Sequence, residues 1–221
     1  MMFLIRIRVD IMLVVTFLAT LAKNPGPKGF KKVRRVQQYL NATPNKSAVY
    51  GAETPVVQVF CDVSFASHPE SSRSHTGIIG RIGERGGAVI AKSQAQRIVT
   101  GSSTEGELLG VCAGVRLMYA PARHLVDWKF NAKSKITAFQ DNQSTLIIAS
   151  GGEGYAGKAK HFRVRYHFLK EMMDDGTLAM LYCPTDLMVA DFLTKPLPGV
   201  RYLMLVDAAM GLTVLPVSKR G

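Results

Sequence analysis

Four carboxylates form the pattern in this chain that most strongly asks for chemistry: Asp62, Glu107, Asp141 and Asp191. Asp62 ends the run Val56-Val57-Gln58-Val59-Phe60-Cys61, and Asp141 ends Lys135–Gln140, so two β-type segments each deliver an acid at their tips. Glu107 falls in the first turn of a helix opening at Ser102-Ser103-Thr104, and Asp191 sits inside apolar Val189-Ala190-Asp191-Phe192-Leu193, in the middle of a further predicted helix. Four acids brought together repel one another unless cations lie between them. Mg²⁺ suits that need, because it takes carboxylate oxygens and keeps waters for a substrate. Two such ions, about 3.5–4 Å apart, can activate a water and stabilise the leaving oxygen of a phosphodiester. The reading requires the Asp62 and Asp141 carboxylates to lie within about 10 Å, since two ions sharing ligands cannot span more.

Each acid also has a structural reading. Asp62 and Asp141 could be strand-end turn formers. Thr104 and Glu107 have the T-x-x-E spacing of a capping box, which would leave Glu107 only its helix to cap. Asp191 is the hardest to assign to solvent, because its neighbours are apolar.

Bulk properties restrict the partners. The chain has 221 residues, enough for one large domain, and 47% hydrophobic residues, which excludes wholesale disorder. With 28 basic and 16 acidic residues its net charge is +12, favouring a polyanion, nucleic acid before a membrane surface. Cys61, Cys112 and Cys183 lie far apart with no zinc-type spacing, so buried free thiols in a reducing compartment are expected.

Residues 1–22 have the basic Arg6 and Arg8 and an apolar run from Ile11 to Ala22, an arrangement shared with secretory signal peptides. Asp10 interrupts it, and the run is shorter than the ~20 residues of a membrane span, so a helix buried against other protein is expected. Asn24-Pro25-Gly26-Pro27 breaks the chain, and Phe30, Val33, Val36 and Leu40 then mark an amphipathic helix with a basic face. Residues 46–55 read as a linker. From Val56 onward, short apolar runs separated by Gly-rich turns predict an antiparallel meander: Val56–Asp62, Thr76–Ile82, Ala88–Lys92 and a short Arg97–Thr100. A helix ended or kinked by Pro121 follows. Next come the strand Lys135–Gln140, a helix through Ala149, a helix marked by Phe162, Tyr166 and Leu169, and the strand Leu178–Cys183. Helices around Leu187–Thr194 and Val200–Met210 close a mixed α/β arrangement.

In this order, the segments Cys61-Asp62-Val63-Ser64, Ser72-Arg73-Ser74-His75-Thr76-Gly77, Ser102–Leu108, Asp141-Asn142-Gln143-Ser144, Lys160-His161 with Arg165-Tyr166-His167, and Ala190–Leu197 resemble the C-terminal part of copia-type LTR retrotransposon Pol polyproteins. That part comprises the end of the reverse transcriptase and the ribonuclease H domain. Arg8–Ile11 and Asn24–Leu40 resemble the segment after the polymerase palm, whose own catalytic aspartate pair has no counterpart here. The resemblance implies a ribonuclease H-like mixed five-stranded sheet flanked by helices, with a short helical N-terminal extension. The division it implies is 1–45 as a polymerase remnant, 46–55 as linker, 56–198 as the nuclease, and 199–221 as a C-terminal helix and tail.

It further implies Asp62, Glu107, Asp141 and Asp191 as catalytic and metal-binding residues for two Mg²⁺ ions, with Glu107 preferred to Glu105 because it directly precedes the apolar Leu108-Leu109. Ser103, Thr104, Asn142, Gln143, Lys158, Lys160, His161, Arg163 and Arg165 are the implied nucleic-acid contacts. The implied partners are an RNA–DNA hybrid and the rest of the retrotransposon polymerase, with no membrane, and the implied location is the cytoplasm, a virus-like particle or the nucleus rather than outside the cell. The family's usual second acid and tryptophan are Ser64 and Phe65 here, and Ala156-Gly157-Lys158-Ala159 and Arg163 also depart from its pattern. The expected function is Mg²⁺-dependent cleavage of the RNA strand of a hybrid. The alternative is a retroelement-derived fragment that binds nucleic acid without cutting it.

Overall fold

Alternation along β1 (Val57–Ser64) decides the architecture, because both of its side-chain rows are buried. Val57, Val59 and Cys61 form one row; Gln58, Phe60 and Asp62 form the other. A strand buried on both faces belongs in the middle of a sheet. In the computed structural model, which describes residues 2–51, 55–67, 72–130, 135–151 and 160–216, with only the backbone of His161, the sheet order is β3-β2-β1-β4-β5. β2 (His75–Ile82) and β3 (Ala88–Ala95) extend it antiparallel on one side. β4 (Ile136–Gln140) and β5 (Leu178–Tyr182) run parallel to β1 on the other. This is the ribonuclease H-like mixed five-stranded sheet that the sequence implies.

Helices cover both faces. On one, α3 (Ser103–Asp127), α4 (Gln143–Ala149) and α5 (Lys160–Asp174) enclose a core of Val57, Val59, Cys61, Ile136 and Ala138 with Leu108, Val111, Val115, Phe162 and Leu169. α3 sits tight on β1: a Cβ on Gly114 would lie 2.6 Å from Cys61 Sγ and 2.7 Å from Val59 Cγ1. On the other face, Phe60, Ile79 and Phe139 pack against Met188, Phe192 and Leu193 and against α6 (Gly199–Ala209).

The N-terminal segment folds onto this second face. Val9 and Met12 join its core, while α1 (Met12–Thr20) and α2 (Pro27–Ala42) share a small cluster of Ile11, Val15 and Val36. Asp10, which breaks the apolar pattern in the sequence, is buried and paired with Arg8 at 2.8 Å; the Tyr39 hydroxyl donates to the same carboxylate at 2.8 Å. The Tyr202 hydroxyl on α6 donates to the Asp10 carbonyl at 2.8 Å. Among the described residues no helix is long and apolar enough to cross a membrane. The stretch read as a linker is stitched down at Val49, whose N–H donates to the Met210 carbonyl and whose carbonyl accepts from the Gly87 N–H, both at 2.8 Å. Lys46 also pairs with Asp207 at 2.6 Å.

Several local expectations need correction. Arg97–Thr100 forms no strand. α3 passes Pro121 and runs to Asp127, because burial of Ala122 and Leu125 offsets the one helix hydrogen bond that proline forfeits. Phe30 is exposed, so Gly29 and Val36 mark the buried side of α2. The helix expected around Leu187–Thr194 is two 3-10 turns, Thr185–Leu187 and Asp191–Leu193, so Asp191 opens a tight turn instead of sitting mid-helix.

Candidate metal centre

Register brings the first two acids together. Phe60 and Phe139 are partners across the parallel β1–β4 pair, and their rings stack at 4.6 Å. Two residues further along each chain, on the same face, come Asp62 and Asp141. Asp62 lies inside β1, opposite Gly77, and not at its tip as the sequence suggests; Asp141 is the first residue past β4. Glu107 arrives from the opposite face on α3, and its Oε1 accepts the Val63 N–H at 3.2 Å. One carboxylate oxygen from each of Asp62, Glu107 and Asp141 lies within 4.8 Å of the others. That is well inside the 10 Å limit.

The capping alternative for Glu107 does not describe this helix. The N-cap of α3 is Ser102, whose hydroxyl accepts the Glu105 N–H at 3.2 Å, while Glu105 reaches back to the Gly101 N–H at 2.8 Å. The box is S-x-x-E, two residues earlier, which leaves Glu107 to the sheet rim.

Asp191 is placed beside the three acids but engaged elsewhere. It is fully buried, its Oδ2 accepts from Arg201 Nη2 at 2.5 Å, and it forms a second ion pair with Lys195. The loop carrying it rests on Gly77, where a Cβ would lie 2.7 Å from the Ala190 carbonyl oxygen and 2.8 Å from Leu193 Cβ. Glycine opposite Asp62 is thus what lets this loop reach the rim. From the same loop the Thr194 hydroxyl donates to Asp62 Oδ2.

The electrostatics follow from burial and crowding. Asp62 is pushed up to about 6, mainly by burial; Lys195 and the Thr194 hydrogen bond oppose the shift, while Asp191 and Asp141 add to it. Burial and the Asp62 and Asp141 charges hold Glu107 well above the usual carboxylate range, against hydrogen bonds from Gln140 and the Val63 N–H. Oxygen donors short of positive charge are consistent with a divalent metal site.

Besides Thr185, whose hydroxyl donates to Asp141 Oδ2, four partners in this centre have no reading in the sequence. Gln140, Thr194, Lys195 and Arg201 all contact the acids. Gln140 had a signal, since it occupies the α3-facing row of Ile136 and Ala138, where an apolar residue is expected. Arg201, ten positions beyond Asp191, had none.

The implied nucleic-acid contacts gather at three helix starts. Ser103 and Thr104 open α3, and Gln143 opens α4 after Asn142, whose Oδ1 caps that helix by accepting the Thr145 N–H at 3.1 Å. Lys160, His161, Arg163 and Arg165 lie in the first turns of α5, where Lys160 and Arg163 are exposed. Lys158 lies outside the described residues.

Sheet order and acidic rim together define a ribonuclease H-like domain with a three-carboxylate centre. No family model matches the chain. It is 28% identical over 195 residues to the retrovirus-related Pol polyprotein from transposon TNT 1-94 of Nicotiana tabacum, a match covering 88% of this chain and 14% of that one. It is 32% identical over 109 residues to the secreted RxLR effector protein 161 of Plasmopara viticola, covering 47% of this chain and 72% of that one. Among solved structures, LC11-RNase H1 isolated from compost superposes with a TM-score of 0.48 at 13% identity, covering 63% of this chain and 92% of that one. The chain's relatives over most of its length are retrovirus-related Pol polyproteins of plant transposons, which are of the copia type. It spans about one seventh of the length of these polyproteins, 14% for the Nicotiana relative.

Proposed function

We propose that the chain is a Mg²⁺-dependent endonuclease that hydrolyses the RNA strand of RNA–DNA hybrids, as part of, or derived from, a retrotransposon polyprotein. The observation that carries this reading is the meeting of Asp62, Glu107 and Asp141 within 4.8 Å, from β1, α3 and the end of β4. Their chemistry fits Mg²⁺: all donors are carboxylate oxygens, two are buried, and their mutual repulsion asks for a small hard cation. Asp62, Glu107 and Asp141 would hold one ion. Asp191 would share a second with Asp62, in exchange for its pairs with Lys195 and Arg201. Bound there, Mg²⁺ supplies activation of a water and stabilisation of charge on the leaving oxygen.

The chain's own residues supply the rest. Thr194 orients Asp62 by its hydrogen bond, and Thr185 donates to Asp141 Oδ2 at 3.0 Å. Ser103, Thr104, Asn142 and Gln143 flank the centre, and Lys158, Lys160, His161, Arg163 and Arg165 are assigned to phosphates, with RNA told from DNA by its 2′-hydroxyls. In this reading residues 1–45 are the end of the polymerase, joined through 46–55 to the nuclease of 56–198, with 199–221 as a C-terminal helix and tail. The rest of the polymerase is the expected partner. Three buried thiols fit work inside the cell, in the cytoplasm, a virus-like particle or the nucleus.

One observation favours the second reading, a fragment that binds nucleic acid without cutting it: the fourth acid already carries two cations of its own. Cleavage of a labelled hybrid by the purified chain with Mg²⁺, beside Asp62→Asn and Asp141→Asn, separates the two. A wild type that cuts no better than the mutants ends the nuclease reading.

A further inference from the structure

Gln140 is fully buried at the end of β4, and every hydrogen bond of its side chain goes to the acid centre. Its Nε2 donates to Glu107 Oε2 at 3.1 Å. Its Oε1 accepts the backbone N–H of Asp141 at 2.7 Å and that of Asn142 at 3.0 Å. The orientation is fixed by chemistry: a flipped amide would face its NH₂ to two N–H donors and its oxygen to a carboxylate. The backbone beneath is also anchored, since the Gln140 carbonyl accepts the Cys183 N–H at 2.9 Å.

We propose that Gln140 is a positioning residue of the metal centre, whose one amide locks the Glu107 carboxylate from α3 to the backbone that carries Asp141. This rests on the reading of Asp62, Glu107 and Asp141 as metal ligands. The two acids come from opposite faces of the sheet, on elements that share no backbone hydrogen bond. The Val63 N–H holds only one oxygen of Glu107, so without Gln140 the other is free to turn away from the rim. No other residue type of this length does the same. Glutamate would set another negative charge against Glu107, and methionine fills the space with neither donor nor acceptor.

The test is Mn²⁺ binding to the full chain, followed by electron paramagnetic resonance, for wild type, Gln140→Met and Gln140→Asn. Ile136→Val, on the same strand and face, controls for a small loss of stability. Partners one step behind a metal ligand typically govern affinity by about 10–100-fold. Gln140→Met is expected to weaken Mn²⁺ binding by roughly that factor, with kcat recovering as Mg²⁺ is raised and the KM for hybrid unchanged. Gln140→Asn keeps an amide but is too short to bridge both partners, and is expected to weaken binding in the same direction; it carries the test if the methionine variant does not fold. Ile136→Val is expected to bind as wild type does. Wild-type affinity in the Gln140 variants overturns the proposal, and so does equal weakening in Ile136→Val. A wild type that binds no Mn²⁺ instead overturns the underlying reading of the three acids.

Discussion

Asp10 and Asp62 are almost equally buried, at 4% and 3% exposure, yet the protein treats their charges in opposite ways. Asp10 receives the Arg8 guanidinium on both oxygens, at 3.1 and 2.8 Å, and the Tyr39 hydroxyl besides. Asp62 receives one threonine hydroxyl and faces two further carboxylates, and the cation near it, Lys195, is paired with Asp191. A buried acid matched to its own cation ties elements together: the Asp10 carboxylate links the N-terminal segment to α2 through Tyr39, while the backbone carbonyl of the same residue accepts the Tyr202 hydroxyl of α6. A buried acid set against other acids costs stability on its own, a cost that a divalent cation would offset under the proposed function. Asp191 stands between the two cases, buried at the acidic rim but paired with Arg201 and Lys195.

Substitutions should split along this line. Asp62→Asn or Asp141→Asn is expected to lower hybrid cleavage by about 10³-fold, the loss of several kcal/mol of charge stabilisation, with no fall in the metal-free thermal midpoint. A lowered midpoint with cleavage intact would break the contrast. Asp10→Asn should do the reverse. It strands Arg8 without its partner and is expected to cost about 3–5 kcal/mol in urea unfolding, while activity per folded molecule stays at the wild-type level.

Acidity sharpens the comparison further. The folded-state value of Asp62, about 6, lies above its ordinary 3.8, so folding favours its protonated form. Its penalty is absent below about 3.8, grows as pH rises through about 6, and is full at neutrality. Glu107 is shifted in the same direction. Without metal, wild type should therefore gain stability relative to Asp62→Asn when urea midpoints are compared at pH 7.5 and pH 5. Identical pH dependence in the two proteins would remove the electrostatic basis of the contrast. The smallest effect concerns Arg201→Ala. It should cost about 1–3 kcal/mol by leaving Asp191 to Lys195 alone, and lower the Mg²⁺ concentration needed for half-maximal cleavage.

Much of this was legible beforehand, and what was not has physical causes. The acid that ends each of the β-type runs Val56–Cys61 and Lys135–Gln140 places two carboxylates at one rim once those strands are neighbours, as they are here. Glu107 was harder, because two overlapping capping patterns, Thr104 with Glu107 and Ser102 with Glu105, differ only in which hydroxyl takes the N-cap dihedrals. The turn at Asp191 was read as a helix because its apolar spacing fits either form, and only the close approach to Gly77 selects the tighter one. Arg201 and Tyr202 reach their partners through tertiary packing alone, which no local pattern announces.

The most direct test of the central contrast is a Mn²⁺ titration of wild type, Asp10→Asn and Asp62→Asn at neutral pH. The result expected is equal binding by wild type and Asp10→Asn, and an affinity at least about tenfold weaker in Asp62→Asn. Equal binding by all three would contradict the assignment of the crowded acids as a metal centre.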